Sequence, residues 1–487
     1  MQVSQGLCSD INLINPDFFP GFDLGRNPTA RGLVGPRPLP IGFAAQSGTV
    51  PLYKQGDMVG AIGVEVDGIY GLDKEITDVD DDVEERIALT GSIGFETPSE
   101  RVASTIFVRG KSLRYTDIDY SDLAPLPQNL PQLNPANLLS VPGFTNGQIR
   151  RGAVYGNPES GFSRTFRAGI EVEVVVGEGG QVRFPTIGGA PLPGGVQLSA
   201  AEVDAMLDAS IVTADRTRSQ VRRPRDTAAR LAIWITDTTG QVLGFVRSKD
   251  TILDSTDVTL QKGRAAGFFS SPDAAQLLIA NGQGEFVERA RQLIGPNAFN
   301  GQTAWSATAL GNIARPFFPD GVTGNPPGPL SLARPEESTG GRTWSIFNTG
   351  LQLDVYIQAF TAPLAGGLTI PDSCTNAAIF GDRLRNGVQF FAGGFPLYRG
   401  TTLIGSISAS GDGTEQDDLV PFFGPSRQGL DFAGHTGVGD PVYGFNAPKE
   451  IRADQLELTV PQTRVRYVAC PESPFRGSNE QNVCGGL

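Results

Sequence analysis

Apolar positions in the second half of the chain fall into two periods. Ser199-Ala-Ala-Glu202 has the form of a capping box. Val203, Met206, Leu207, Ile211 and Ala214 follow at helical spacing, which predicts an amphipathic helix with a defined start. The period then drops to two: Leu231, Ile233 and Ile235 alternate over 229–236, DTTG at 237–240 makes a turn, and 241–247 return as the hairpin partner. A second helix, capped by Asp254 or Ser255, is predicted to run to about residue 269. A long insertion over about 270–390 follows, with helical sequence after the Ser271-Pro272-Asp273 start and again over 285–294. A strand pair over 396–410 and an acidic helix start complete the order. Between residues 125 and 197 the chain is rich in Pro, Gly and Asn, broken by one alternating run at 170–176.

The first half repeats part of this pattern. PLYKQGDMVGAIGVEVDG (51–68) aligns without a gap with PLYRGTTLIGSISASGDG (396–413), at an offset of 345. Asp81-Asp82-Val83 then answers Asp417-Asp418-Leu419, and 98–115 resembles 448–467 with a two-residue indel. Three blocks in one order read as a tandem duplication. The first copy has no counterpart of 199–269, and a strand pair without its helix and hairpin leaves sheet edges open. The missing complement is therefore expected upstream of Met1 or on another subunit, with a secretory leader also upstream. This places 1–127 as the C-terminal half of a first module and 128–197 as a Pro/Gly-rich linker with a short strand. Residues 198–447 form a second module, and 448–487 a tail.

Composition narrows the function. Acidic residues outnumber basic ones 52 to 39, for a net charge of −13, so no nucleic-acid footprint is present. No apolar run approaches the ~18 residues of a membrane span. The four cysteines (Cys8, Cys374, Cys470, Cys484) form no CxxC, and their even number suits disulfides in an oxidising, periplasmic or extracellular compartment. Cys470 and Cys484 bracket a polar segment that can close a small loop; four free thiols are the alternative. A single histidine, His435, provides no two-His metal site and no nucleophile–base–orienter set, which argues against an enzyme.

The capped helix, the DTTGQVLGFVR run (237–247), KGRAA (262–266), GGFPLY (393–398) and GDGTEQDD (411–418) resemble the GlcG/HbpS family of haem-binding-like proteins and the related C-terminal module of PduO. The resemblance covers about 199–440 in the second copy and 41–95 in the first. It implies an α+β (α/β) class: profilin-like α/β/α sandwiches with antiparallel five-stranded sheets. It also implies extracytoplasmic location, oligomers, haem or another tetrapyrrole as ligand, and no established catalysis.

Under that resemblance a planar anionic ligand sits between Arg247 and Lys262, pairing with its carboxylates, and the strand carrying Phe395 and Tyr398, with His435 the one imidazole able to reach an iron; the other readings are surface placement of Arg247 and Lys262, packing of Tyr398 on the sheet and a hydrogen-bonding His435. Asp412, Glu415, Asp417 and Asp418 offer oxygen ligands for Ca²⁺ or, equally, acidic capping of the following helix; the acidic run at 78–85 carries the same two readings. Duplication, the half module and the long insertion favour a different role, that of a structural subunit of an oligomer or filament that keeps the modules without a ligand.

Overall fold

A computed structural model describes residues 47–64, 66, 79, 80, 82–108, 111–125, 161–176, 180–252, 255–315, 317–320, 325–331, 350–352, 354, 355, 381–384, 387–436, 438, 444–460 and 463–487. They divide into a smaller compact unit over 47–125 and a larger one from residue 161 onward. Cys8 and Cys374 lie outside the described residues.

In the smaller unit, β1 (Thr49–Lys54) and β2 (Asp57–Gly63) form an antiparallel hairpin. Its two-residue loop places Gln55 and Gly56 at φ of 54° and 84°, the left-handed pair that a tight hairpin turn requires. The helix α1 (Val83–Gly91) starts where the Asp82 carboxylate accepts the Glu85 amide at 3.0 Å. Its Ala88 and Leu89 bury against Val50 and Ile118. Two 3₁₀ turns, Ser99–Arg101 and Ala103–Thr105, and the short strands β3 (Phe107–Val108) and β4 (Lys111–Ser112) follow.

The larger unit is mixed α and β around an antiparallel sheet. Its strands are β5 (Phe162–Arg167), β6 (Ile170–Val175), β7 (Ala232–Thr236), β8 (Val242–Ser248), β9 (Gly394–Arg399) and β10 (Thr402–Ser410), in the order β5-β6-β8-β7-β10-β9. There are six strands where five were expected. The alternating run at 170–176 is not a lone strand in a linker: it is one arm of a hairpin, and Val172 and Glu173 pair with Ser248 and Arg247 of β8.

Helices cover both faces. On one side lies α2 (Ala200–Arg216), opened by the Ser199/Glu202 capping box that the sequence predicts. Its Val203 and Leu207 reach the sheet at Gly244, where a β-carbon would stand 2.9 Å from Leu207. On the other side lies α3 (Ser255–Phe269). Trp234 donates to the Thr256 carbonyl and packs beside Phe245, their ring centroids 4.1 Å apart. Gly263 lets α3 approach β10 closely, since a β-carbon there would fall 2.6 Å from the Ser408 hydroxyl.

The insertion enlarges this core. Its helices α4 (Ala274–Ala280), α5 (Gly284–Ile294) and α6 (Ala307–Ile313) bury Phe286, Leu310 and Ile313, and Phe269 meets the rings of Phe299 and Phe390. After β10 come α7 (Thr414–Phe423) and α8 (Arg427–Phe432). The tail closes over them: the Phe475 ring meets Phe423 edge to face and lies tilted against Phe432, and Cys470 and Cys484 are bonded, with Cα atoms 6.4 Å apart.

Candidate functional site

The residues singled out for an anionic ligand stand inside the core, on different faces of one sheet. Arg247 is fully buried on β8. Its Nε lies 3.2 Å from a Glu173 carboxylate oxygen that is itself fully buried, Nη1 donates to Thr256 at 3.0 Å, and Nη2 donates to the Thr251 carbonyl. The guanidinium also sits 4.6 Å from the Phe162 ring centroid. Its donors therefore serve the β6–β8–α3 junction.

Lys262 is likewise buried. From α3 it reaches past the end of β10 to the Ser410 hydroxyl (2.7 Å) and the Asp417 carboxylate (3.2 Å). Sequence reasoning offered Lys262 to a ligand's carboxylates and Asp417 to a metal or to the start of the following helix; in the fold the two pair with each other, and Asp417 lies in that helix's first turn. Asp417 also accepts the Gly411 and Asp412 amides, both at 3.1 Å, so it organises the turn into α7. Burial raises its pKa, against the opposing pull of Lys262.

Phe395 and Tyr398 have opposite parity on β9 and so point to opposite faces. Phe395 meets Phe422 and Tyr467 at 5.3 and 5.6 Å. Tyr398 lies on the α3 face beside Ser270, and burial drives its hydroxyl pKa upward. The two rings cannot form one wall of a pocket.

The acidic group is dispersed in the same way. Asp412 accepts from the Ser219 hydroxyl (2.5 Å) and the Gln220 amide (2.7 Å). Asp418, on α7, accepts from Thr308 of α6 at 2.7 and 2.8 Å, the Gly393 amide at 2.7 Å and the Ala469 amide at 2.8 Å. Burial pushes its pKa up to about 7 despite these donors. Glu415 lies in the first turn of α7. Among the described residues no group of three or more His, Cys, Asp or Glu side chains is arranged to hold a metal ion.

His435 stands apart from all of these, just beyond α8, with 32% of its side chain exposed. Its Nε2 lies 3.1 Å from Asp208 of α2. The other Asp208 oxygen accepts from Arg167 at the end of β5 (2.7 Å), and Arg167 also donates to Asp204 at 2.7 Å. Arg167, Glu173, Asp208 and Thr308 all escaped the sequence reading. Their partners lie from 37 to 227 positions away, so no local spacing marks them.

No family model and no curated protein matches the chain. Among solved structures, the chain is similar to Klebsiella pneumoniae protein ORFY, described as DUF336, at 14% identity and a TM-score of 0.22, covering 48% of this chain and 88% of that one. It is also similar to a PduOC–haem complex at 15% identity and a TM-score of 0.23, covering 49% and 95%. Both scores are low, and the description of the fold rests on the chain's own sheet and helices. No helix among the described residues is long and apolar enough to cross a membrane.

Proposed function

We propose that this chain is a non-catalytic assembly subunit, built from a duplicated α+β module and working in an oxidising, extracytoplasmic compartment. One observation carries the reading. The hairpin of the smaller unit reproduces β9–β10 pair for pair at the offset of 345, with the irregularity at the same place: Leu52↔Gly60 then Tyr53↔Met58, against Leu397↔Gly405 then Tyr398↔Leu403. Yet Ile404 is 2% exposed and its equivalent Val59 is 56% exposed. A half module with an uncovered apolar strand suits docking, whereas the residues expected around a ligand are consumed by internal pairs. The Cys470–Cys484 bond is compatible with the compartment. Sedimentation velocity over a wide concentration range tests this: species heavier than one chain are expected, and a monomer at every concentration refutes self-assembly.

A second reading, tetrapyrrole binding, rests on His435. A carboxylate that holds one ring nitrogen orients an imidazole in the way metal-ligating histidines are held. Arg247, Lys262, Phe395 and Tyr398 do not fit this ligand as one pocket, so a haem would lie at the surface near His435. A saturable Soret change with haem, lost in His435→Ala, would favour this reading over the first.

A further inference from the structure

One ion pair in the core of the larger unit has the parts of a bond-forming site. The side chains of Lys262 on α3 and Asp417 on α7 are 2% and 5% exposed, and Lys262 Nζ lies 3.2 Å from Asp417 Oδ2. The Phe391 ring centroid stands 5.6 Å from the same nitrogen. Holding two ions in so dry a place is costly. The two oxygens of the Asp417 carboxyl are held differently. Oδ1 accepts two main-chain amides, those of Gly411 and Asp412, both at 3.1 Å. Oδ2 accepts from the Ser410 hydroxyl at 2.8 Å, and that hydroxyl in turn accepts from Lys262 at 2.7 Å. A nitrogen nucleophile, a hydroxyl relay and a two-amide cradle therefore converge on one carboxyl carbon, the set of parts that acyl transfer uses.

The neighbouring Asp418 is placed for a different task. It feels the charge of Lys262, but its oxygens are taken by the Thr308 hydroxyl and the Gly393 and Ala469 amides.

We propose that Lys262 and Asp417 condense into an intramolecular isopeptide bond once the larger unit has folded. Nζ attacks Cγ, the Cγ–Oδ2 bond breaks, and Oδ1 remains on its two amides as the new carbonyl oxygen. The lysine ammonium gives up two protons, passed by way of Ser410 to Oδ2, which leaves as water. An ammonium and a carboxylate become an amide and water, with no co-reactant and no change in net charge. Burial raises the Asp417 pKa, which favours the first transfer, and fixed contact supplies the proximity that an unactivated carboxyl needs. The bond joins positions 155 residues apart and so encloses the whole insertion between α3 and α7. It stands independently of the assembly reading.

Mass spectrometry of the full chain, reduced and denatured, tests this. Trypsin does not cut after an acylated lysine, so residues 250–264 and 400–427 should appear as one branched peptide, lighter by one water than its two parts. Lys262→Arg should restore the intact mass that its sequence requires and release both segments as linear peptides. Free 250–262 and 400–427 peptides from wild type overturn the proposal. So does a loss of water found on a linear peptide, since an imide at Asp412-Gly413 gives the same mass, or one that persists in Lys262→Arg. If the variant does not fold, the wild-type peptide map decides alone.

Discussion

The smaller unit and the second half of the larger one share parts and differ in what surrounds them. β1 and β9 have corresponding bounds at the 345 offset, and both are followed by a helix, then by two 3₁₀ turns after a proline, Pro98 at φ −54°, ψ 136° and Pro448 at φ −54°, ψ 142°. A buried helix carboxylate serves both, from different positions: Glu85 accepts the Asp117 and Ile118 amides at 2.7 and 3.0 Å, and Asp418, which the alignment matches with Asp82, accepts that of Ala469. Yet Leu419 and Phe423 on α7 are buried, while their counterparts on α1, Val83 and Ile87, are 53% and 45% exposed. The difference teaches that local structure here follows from the strand pair and its carboxylate latch, whereas burial follows from what packs over them: in the larger unit β7 pairs with β10 and α3 packs against β9 and β10.

The sharpest way to break the comparison is to damage what only the larger unit possesses. Arg247→Ala removes the guanidinium that faces the buried Glu173 carboxylate and should cost about 3–5 kcal/mol. Denaturant unfolding should show the larger unit's transition moving while the hairpin of the smaller unit keeps its amide protection. Next in size is the tail. Removing the disulfide with Cys470→Ser and Cys484→Ser should cost roughly 3 kcal/mol for a loop of this length, read from the unfolding midpoint. Two alkylated thiols at these positions in an unreduced peptide map would refute the bond.

The carboxylate latch sharpens the comparison through pH. Asp418 is held near 7 by burial, and Glu85 is also raised by burial. A carboxyl with a higher pKa folded than unfolded binds its proton more tightly in the fold. Its contribution is therefore complete below the unfolded value near 4 and is lost as pH rises through the folded one, with a slope of at most about 1.4 kcal/mol per pH unit. Melting temperature should fall between pH 5 and pH 8, and Asp418→Asn should flatten that fall even though it lowers stability throughout. An unchanged slope would show that Asp418 does not carry it. The smallest effect compares equivalent sites: Ile404→Val should cost about 1 kcal/mol, and Val59→Ala less than about 0.5 kcal/mol. A larger loss at Val59 would mean that this side chain is covered in solution.

The sequence made the Ser199 cap, the β7–β8 hairpin and the helix reaching Phe269 legible, because each is written in local period or in turn chemistry. β5 was not legible. FSRTFR has no clean alternation, and its turn uses Ala168 at φ 48° beside Gly169, where asparagine would have signalled the bend. Without β5 the run holding Glu173 read as a lone strand, so its pairing with β8, and with it the reason Arg247 is buried, was missed. The Lys262–Asp417 pair failed for another reason: the two residues are 155 positions apart, and each had chemistry enough to suggest a role by itself.

The strand order also dictates when the sheet can close during synthesis. β7 pairs with β8 at once, but its other neighbour, β10, lies 170 residues further on, as the Thr236–Ser406 hydrogen bond shows. At ribosomal speeds that interval is roughly 10–30 s, far longer than a hairpin needs to form. During it the nascent chain displays the β7 edge that β10 later covers. High contact order of this kind slows folding and invites wrong pairing. Expression yield should therefore depend on chaperone supply and on growth temperature more steeply than the stability of the completed sheet would suggest.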